Sequence, residues 1–160
     1  MKKYILYLVI CFVSSLNVHA QIETLEEAFK AESKQNQEYL RKSLHGEKSF
    51  LYVSKQGEIE TILNGKEPID VMELEDVIAI QKLRLTNEQL QQLKVLIINV
   101  PAESSNEIDL EVASLANLEY INLKGYDEQS LKKVSEKLSN QLKESRLKSK
   151  ILIQKLNIDR

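Results

Sequence analysis

The residues able to carry acid–base chemistry are few in this sequence and loosely grouped. Glu73, Glu75 and Asp76 form one acidic group, and Asp109 and Glu111 form another. Two carboxylates are the least a hydrolytic site of this type needs, one to give a proton and one to take it. Acids spaced this way along polar segments are, far more often, the solvated faces of helices and loops. His45 is the only histidine beyond the first 20 residues. Its ordinary pKa lies near neutrality, but Gly46 follows it, which is the arrangement of a helix end and favours a capping role. No HExxH, CxxC, GxSxG, phosphate-binding Gly-rich loop or EF-hand spacing occurs, and one histidine does not build a histidine-rich metal site. No cofactor and no metal are implied. The expectation is a non-enzymatic binding or structural module, with a carboxylate-dependent hydrolase-like enzyme as the alternative.

The elements that would position such residues follow from length and composition. The chain has 160 residues, 42% hydrophobic and 29% charged, which is enough for one well-buried core. Four glycines and two prolines leave little room for flexible linkers. Residues 1–20 stand apart: Lys2 and Lys3 precede an apolar run from Tyr4 to Val13, and Val18-His19-Ala20 has the character of a signal-peptidase site. A cleaved secretory signal is expected, leaving a single α/β domain over 21–160. The apolar run is about half of the roughly 20 residues needed to cross a bilayer, so no stable membrane insertion is expected after cleavage. The product would be soluble and exported, either periplasmic or secreted. Cys11, the only cysteine, would leave with the signal, so no disulfide is expected.

Within that domain, residues 21–47 read as an N-terminal helix. Ile22, Leu25, Ala28 and Phe29 form one apolar patch and Leu40 and Leu44 another. Ser33, Asn36 and Gln37 interrupt the stripe, so this helix either grips the body at its ends or is broken in the middle. Phe50–Val53 and Glu58–Leu63 predict a β-hairpin over 50–63, with Lys55-Gln56-Gly57 at its turn and Asn64-Gly65 closing it. A short helix is expected over 70–77. Strands at about 81–85, 94–100, 119–124 and 150–156 then alternate with helical segments, the pattern of a small, mostly parallel sheet with helical crossovers. Thr86-Asn87-Glu88-Gln89 has the capping-box pattern, and Asp127 is placed to cap the last helix. That helix carries Leu131, Val134, Leu138 and Leu142 on one face.

Leu115, Leu118, Ile121 and Leu123 turn a helical spacing into an alternating one within nine residues, and Leu90, Leu93, Leu96 and Ile98 do the same. Val77, Ile80, Leu83 and Leu85 form a third echo. The segments 90–98 and 115–123 resemble the leucine-rich repeat, whose LxxLxL strand lines one face of a solenoid. The resemblance spans about 77–124. Leu96 to Ile121 covers 25 residues, a normal repeat length, whereas Leu83 to Leu96 covers 13. The asparagine of the repeat is absent, with Glu88, Pro101 and Tyr126 in its place. An unrelated small α/β sandwich fits the same pattern.

The resemblance implies binding of a protein or glycan partner through an open sheet face. Arg84, Tyr120 and Asn122 would line that face as the binding residues, beside Lys82, Val95, Ile97 and Gln154. Against this, 94–100 is nearly continuous in apolar residues, which marks a strand covered on both sides and favours burial of Val95 and Ile97. Charge is uneven along the chain. Residues 21–131 carry 11 basic and 21 acidic side chains, and residues 132–160 carry 9 and 3. No aromatic residues interleave with the basic segment, so nucleic acid is not an expected partner.

Overall fold

The computed structural model describes residues 22–82, 84–102 and 115–157. The expected signal segment and the acidic pair Asp109 and Glu111 lie outside these residues. The strands β1 (Ile22–Thr24), β2 (Phe50–Val53), β3 (Ile59–Ile62), β4 (Val71–Leu74), β5 (Val95–Val100), β6 (Tyr120–Gly125) and β7 (Lys150–Lys155) form one seven-stranded sheet in the order β1-β7-β6-β5-β4-β2-β3. Every neighbouring pair is parallel except β2 with β3. The helices are α1 (Leu25–Ala31), α2 (Lys34–Leu44), α3 (Ala79–Lys82), α4 (Asn87–Gln92) and α5 (Glu128–Glu144).

Parallel strands buried on both faces carry apolar residues at consecutive positions, as β5 does over most of its length, whereas β6 is buried alike but sets Asn122 among its apolar residues. On one face Met72, Leu74, Leu96, Ile98, Ile121, Leu123 and Ile151 pack with Leu131, Val134, Leu138 and Leu142 of α5. Ser130, Ser135 and Ser139 are also buried on α5, and these small side chains let the helix lie close to the sheet. At the end of β6, a Cβ on Gly125 would stand 2.7 Å from the carbonyl oxygen of Val100 and would press on Leu131. On the other face Val71, Val95, Ile97, Tyr120 and Leu152 pack with Ala28, Leu40 and Leu44 of α1 and α2.

Local capping sets the helix limits. Thr24 and Glu27 form a capping box at the start of α1, Thr86 and Gln89 form one at α4, and Asp127 accepts from the Ser130 amide at α5. The segment 22–44 is a short strand and two helices, because Ser33 caps α2 where the apolar stripe fails. His45 is the C-cap of α2, and Gly46 takes the left-handed conformation (φ 69°) that follows it.

Two expected elements are corrected. The segment 70–77 contains β4 and not a helix. It lies between β2 and β5, where an extended chain sends Val71 to one core and Met72 and Leu74 to the other. The strand expected over about 81–85 is overturned at its start, since Gln81 and Lys82 belong to the helix Ala79–Lys82 and the Asp76 carboxylate accepts the Ile78 amide at its entry.

Candidate functional site

The three residues read as a binding face do not form one. Tyr120 and Asn122 are 5% and 0% exposed and lie two positions apart on β6, beneath α1 and α2. Arg84 is exposed in the segment between α3 and α4. Val95 and Ile97 are buried on the same face as Tyr120, under the two N-terminal helices. Covering this face satisfies the apolar demand of β4, β5 and β7 at once.

Two polar assemblies stand at the two ends of the strands. At the carboxyl ends, Glu73 accepts from Asn99 Nδ2 at 3.0 Å and lies 3.5 Å from Lys124 Nζ, and Asn122 Nδ2 donates to Gln154 Oε1 at 3.1 Å. Glu75 accepts the Lys55 amide at 2.7 Å, and Asp76 pairs with Lys55 Nζ at 2.8 Å. Glu73 is therefore held by Asn99 and Lys124, while Glu75 and Asp76 share Lys55, one through its backbone amide and the other through its ammonium.

At the amino ends, β4, β5, β6 and β7 are entered through residues of alternating sign: Asp70, Lys94, Glu119 and Lys150. The backbone links them in order. The amides of Lys94 and Val95 donate to Asp70 O, those of Glu119 and Tyr120 to Lys94 O, and that of Lys150 to Glu119 O. Opposite charges on adjacent strands attract, and Lys94 lies 3.5 Å from Glu119. This edge forms one wall of a groove of about 1050 Å³ lined by Glu32, Asn36, Pro68, Asp70, Gln91, Gln92, Lys94, Ala116, Asn117, Leu118, Glu119, Tyr120, Arg146, Leu147, Lys148 and Lys150.

Two carboxylates in this groove each hold a tyrosine and a lysine. Tyr39 Oη donates to Asp70 Oδ2 at 2.9 Å, and Lys48 Nζ stands 2.9 Å from Asp70 Oδ1 and 4.2 Å from the centre of the Tyr39 ring. Lys150 Nζ donates to Glu32 Oε1 at 2.6 Å, and the Tyr120 hydroxyl donates to the same carboxylate. Burial and the neighbouring carboxylate push both tyrosine hydroxyls far above their usual range. Conversely, the Lys150 ammonium, with Asn36, holds the Glu32 carboxyl below its ordinary value of 4.5.

Sequence reading passed over Glu32, Asp70, Lys48 and Lys150, because each partner pair joins distant segments. The signal available was a charged residue directly before β4, β5 and β6 and another at the first position of β7.

The depressed Glu32 pKa makes a linkage prediction. Its stabilising effect is present above about pH 4.5 and is lost as pH falls through the lower folded-state value. Glu32→Gln should cost about 1.5 to 3 kcal/mol at pH 7, the usual worth of a hydrogen bond to a charged group. The two proteins should converge in urea melts once the pH has fallen below that folded-state value. A gap that persists unchanged at that pH would mean that Glu32 acts through packing and not through its charge.

The described residues define a mostly parallel α/β sheet protein with a mixed-charge groove at the amino ends of its strands. Comparison with protein-family models, curated proteins and solved structures finds no match to this chain.

Proposed function

We propose that this chain is an exported, non-enzymatic binding module that receives a protein partner in the groove at the amino ends of β4–β7. The observation that carries this reading is the groove itself. Its volume is that of a ligand site, and its walls combine amides, paired charges and apolar side chains from several separate segments. The leucine-rich-repeat resemblance contributes the expectation of protein binding, with the strand ends in place of the sheet face as the working surface. Export rests on Lys2, Lys3, the apolar run and the site at Ala20.

Binding is favoured over carboxylate catalysis by the state of the acids in the groove. A general acid at neutral pH needs a raised pKa, whereas Glu32 is shifted downward by its lysine partner.

The test is capture of partners from the exported fraction by wild type and by Gln92→Trp, which places a bulky ring at the exposed rim. Wild type should retain a defined protein that Gln92→Trp releases, with both chains equally folded by circular dichroism. Equal retention by the two would remove the groove from the proposal. Release of a reducing sugar or peptide fragment from exported material, lost in Glu32→Gln, would favour the hydrolase reading instead.

A further inference from the structure

The end of α5 holds a residue that its backbone conformation disfavours. The Leu147 amide donates to Leu142 O, and the Arg146 amide donates to Lys143 O, which is the pair of bonds of a Schellman motif. Arg146 occupies the left-handed position of that motif, at φ 58°, and is the one described non-glycine residue with positive φ. The equivalent turn after α2 uses Gly46, with the Glu47 amide donating to Lys42 O. A side chain with a Cβ is strained in this conformation, and glycine is not. Retaining arginine here costs stability, and Arg146 points to a use because it lines the groove.

The charge balance of the groove indicates what that use is. Glu32, Asp70 and Glu119 are each matched by a lysine: Lys150, Lys48 and Lys94. Arg146 and Lys148 have no ion-pair partner among the described residues, and both are exposed. An arginine offers a planar fork of donors that fits a carboxylate through two parallel bonds. Beside it, Leu118, Leu147 and Pro68 supply apolar wall, and Gln92 and Asn117 supply amides able to pair with a peptide backbone. Among the described residues the one aromatic side chain in the lining, Tyr120, is buried with its hydroxyl facing Glu32, so none of these residues presents a ring for a sugar to stack on.

Resting on the groove as the binding surface, we infer that its occupant is an acidic polypeptide segment whose carboxylate is anchored by Arg146, with Lys148 in support. The probe is a fluorescein-labelled eight-residue peptide alternating Glu and Leu, read by anisotropy against its Gln-for-Glu counterpart. The acidic peptide should bind at least tenfold more tightly than the Gln peptide, and binding should weaken with added salt. Arg146→Gly should raise the melting temperature by about 2 to 4 °C, yet weaken the acidic peptide at least tenfold. Arg146→Asn, which tolerates the left-handed turn and lacks the charge, should weaken it equally.

Unchanged binding in Arg146→Gly would overturn the inference, as would failure of the acidic peptide to bind wild type. Preferential binding of an oligogalacturonate would overturn the peptide assignment. If a captured partner is released by Gln92→Trp but not by Arg146→Gly, the groove reading stands and the acidic-segment inference falls.

Discussion

Lys48→Met should lower the unfolding free energy by about 3 to 5 kcal/mol, the usual consequence of removing one partner from a buried ion pair. Lys48 is 8% exposed, and its ammonium lies 2.9 Å and 3.2 Å from the two oxygens of Asp70. Without it, the half-buried Asp70 carboxylate keeps only the Tyr39 hydroxyl at 2.9 Å. Methionine keeps an unbranched stem of similar length but removes the ammonium, including its place 4.2 Å from the centre of the Tyr39 ring, so the loss reports the charge. Lys48→Met with Asp70→Asn should lose much less than the sum of the single changes, because the orphaned charge is gone. Urea melts of the four proteins give the cycle. A single-variant loss under about 1 kcal/mol would show that water takes over the role of Lys48.

Leu138→Ala is the second large effect, at about 2 to 5 kcal/mol. Leu138 is fully buried in the middle of α5, with Leu131, Val134 and Leu142 on the same face against Leu123 and Ile151. Removing its branched end leaves a cavity that a helix held at both ends closes poorly. Lys137→Ala, one position earlier on the exposed face, should stay within about 0.5 kcal/mol of wild type. Equal losses at the two positions in denaturant would mean that α5 does not pack on the sheet.

What the sequence discloses is what neighbouring residues decide among themselves. The α5 stripe, the Thr86 box and the Asp127 cap are local events, and each stands where its residue pattern places it. Thr24-x-x-Glu27 has the same pattern and marks the start of α1 equally well. By contrast, Val71–Leu74 is too short to display a period. It becomes a strand because β2 and β5 lie on either side of it, a fact carried by other segments.

Tyr120 and Asn122 show the limit most directly. Alternation with Ile121 and Leu123 marks the strand, but which face is covered depends on α1 and α2, which lie half the chain or more away in sequence. The repeat resemblance implies an outward face, whereas the tyrosine hydroxyl faces Glu32 and the Asn122 Nδ2 donates to Gln154, leaving the buried Asn122 Oδ1 without a partner among the described residues. The groove is harder still to foresee. Its Glu32–Lys150 pair spans a separation of 118 positions, and no spacing rule operates at that range. Arg146 carries a signal only once the end of α5 is known, since an arginine in a glycine slot is otherwise an ordinary basic residue.

The pairing of β1 with β7 bears on the order in which the chain folds. Ile22 lies beside Ile151, whereas β4, β5, β6 and β7 are joined each to the next along the chain. Contacts between distant segments are the slowest to form, because the intervening chain must be closed into a loop before any of them is gained. The consecutive strands with α5 therefore form a natural early nucleus, and β1 docks late, bringing α1 and α2 over the sheet as it does so. Until that moment β7 is an open edge with Ile151 and Leu152 beside it, a surface on which another unfinished copy can pair. In the finished sheet the three-residue strand pairs along that edge and closes it.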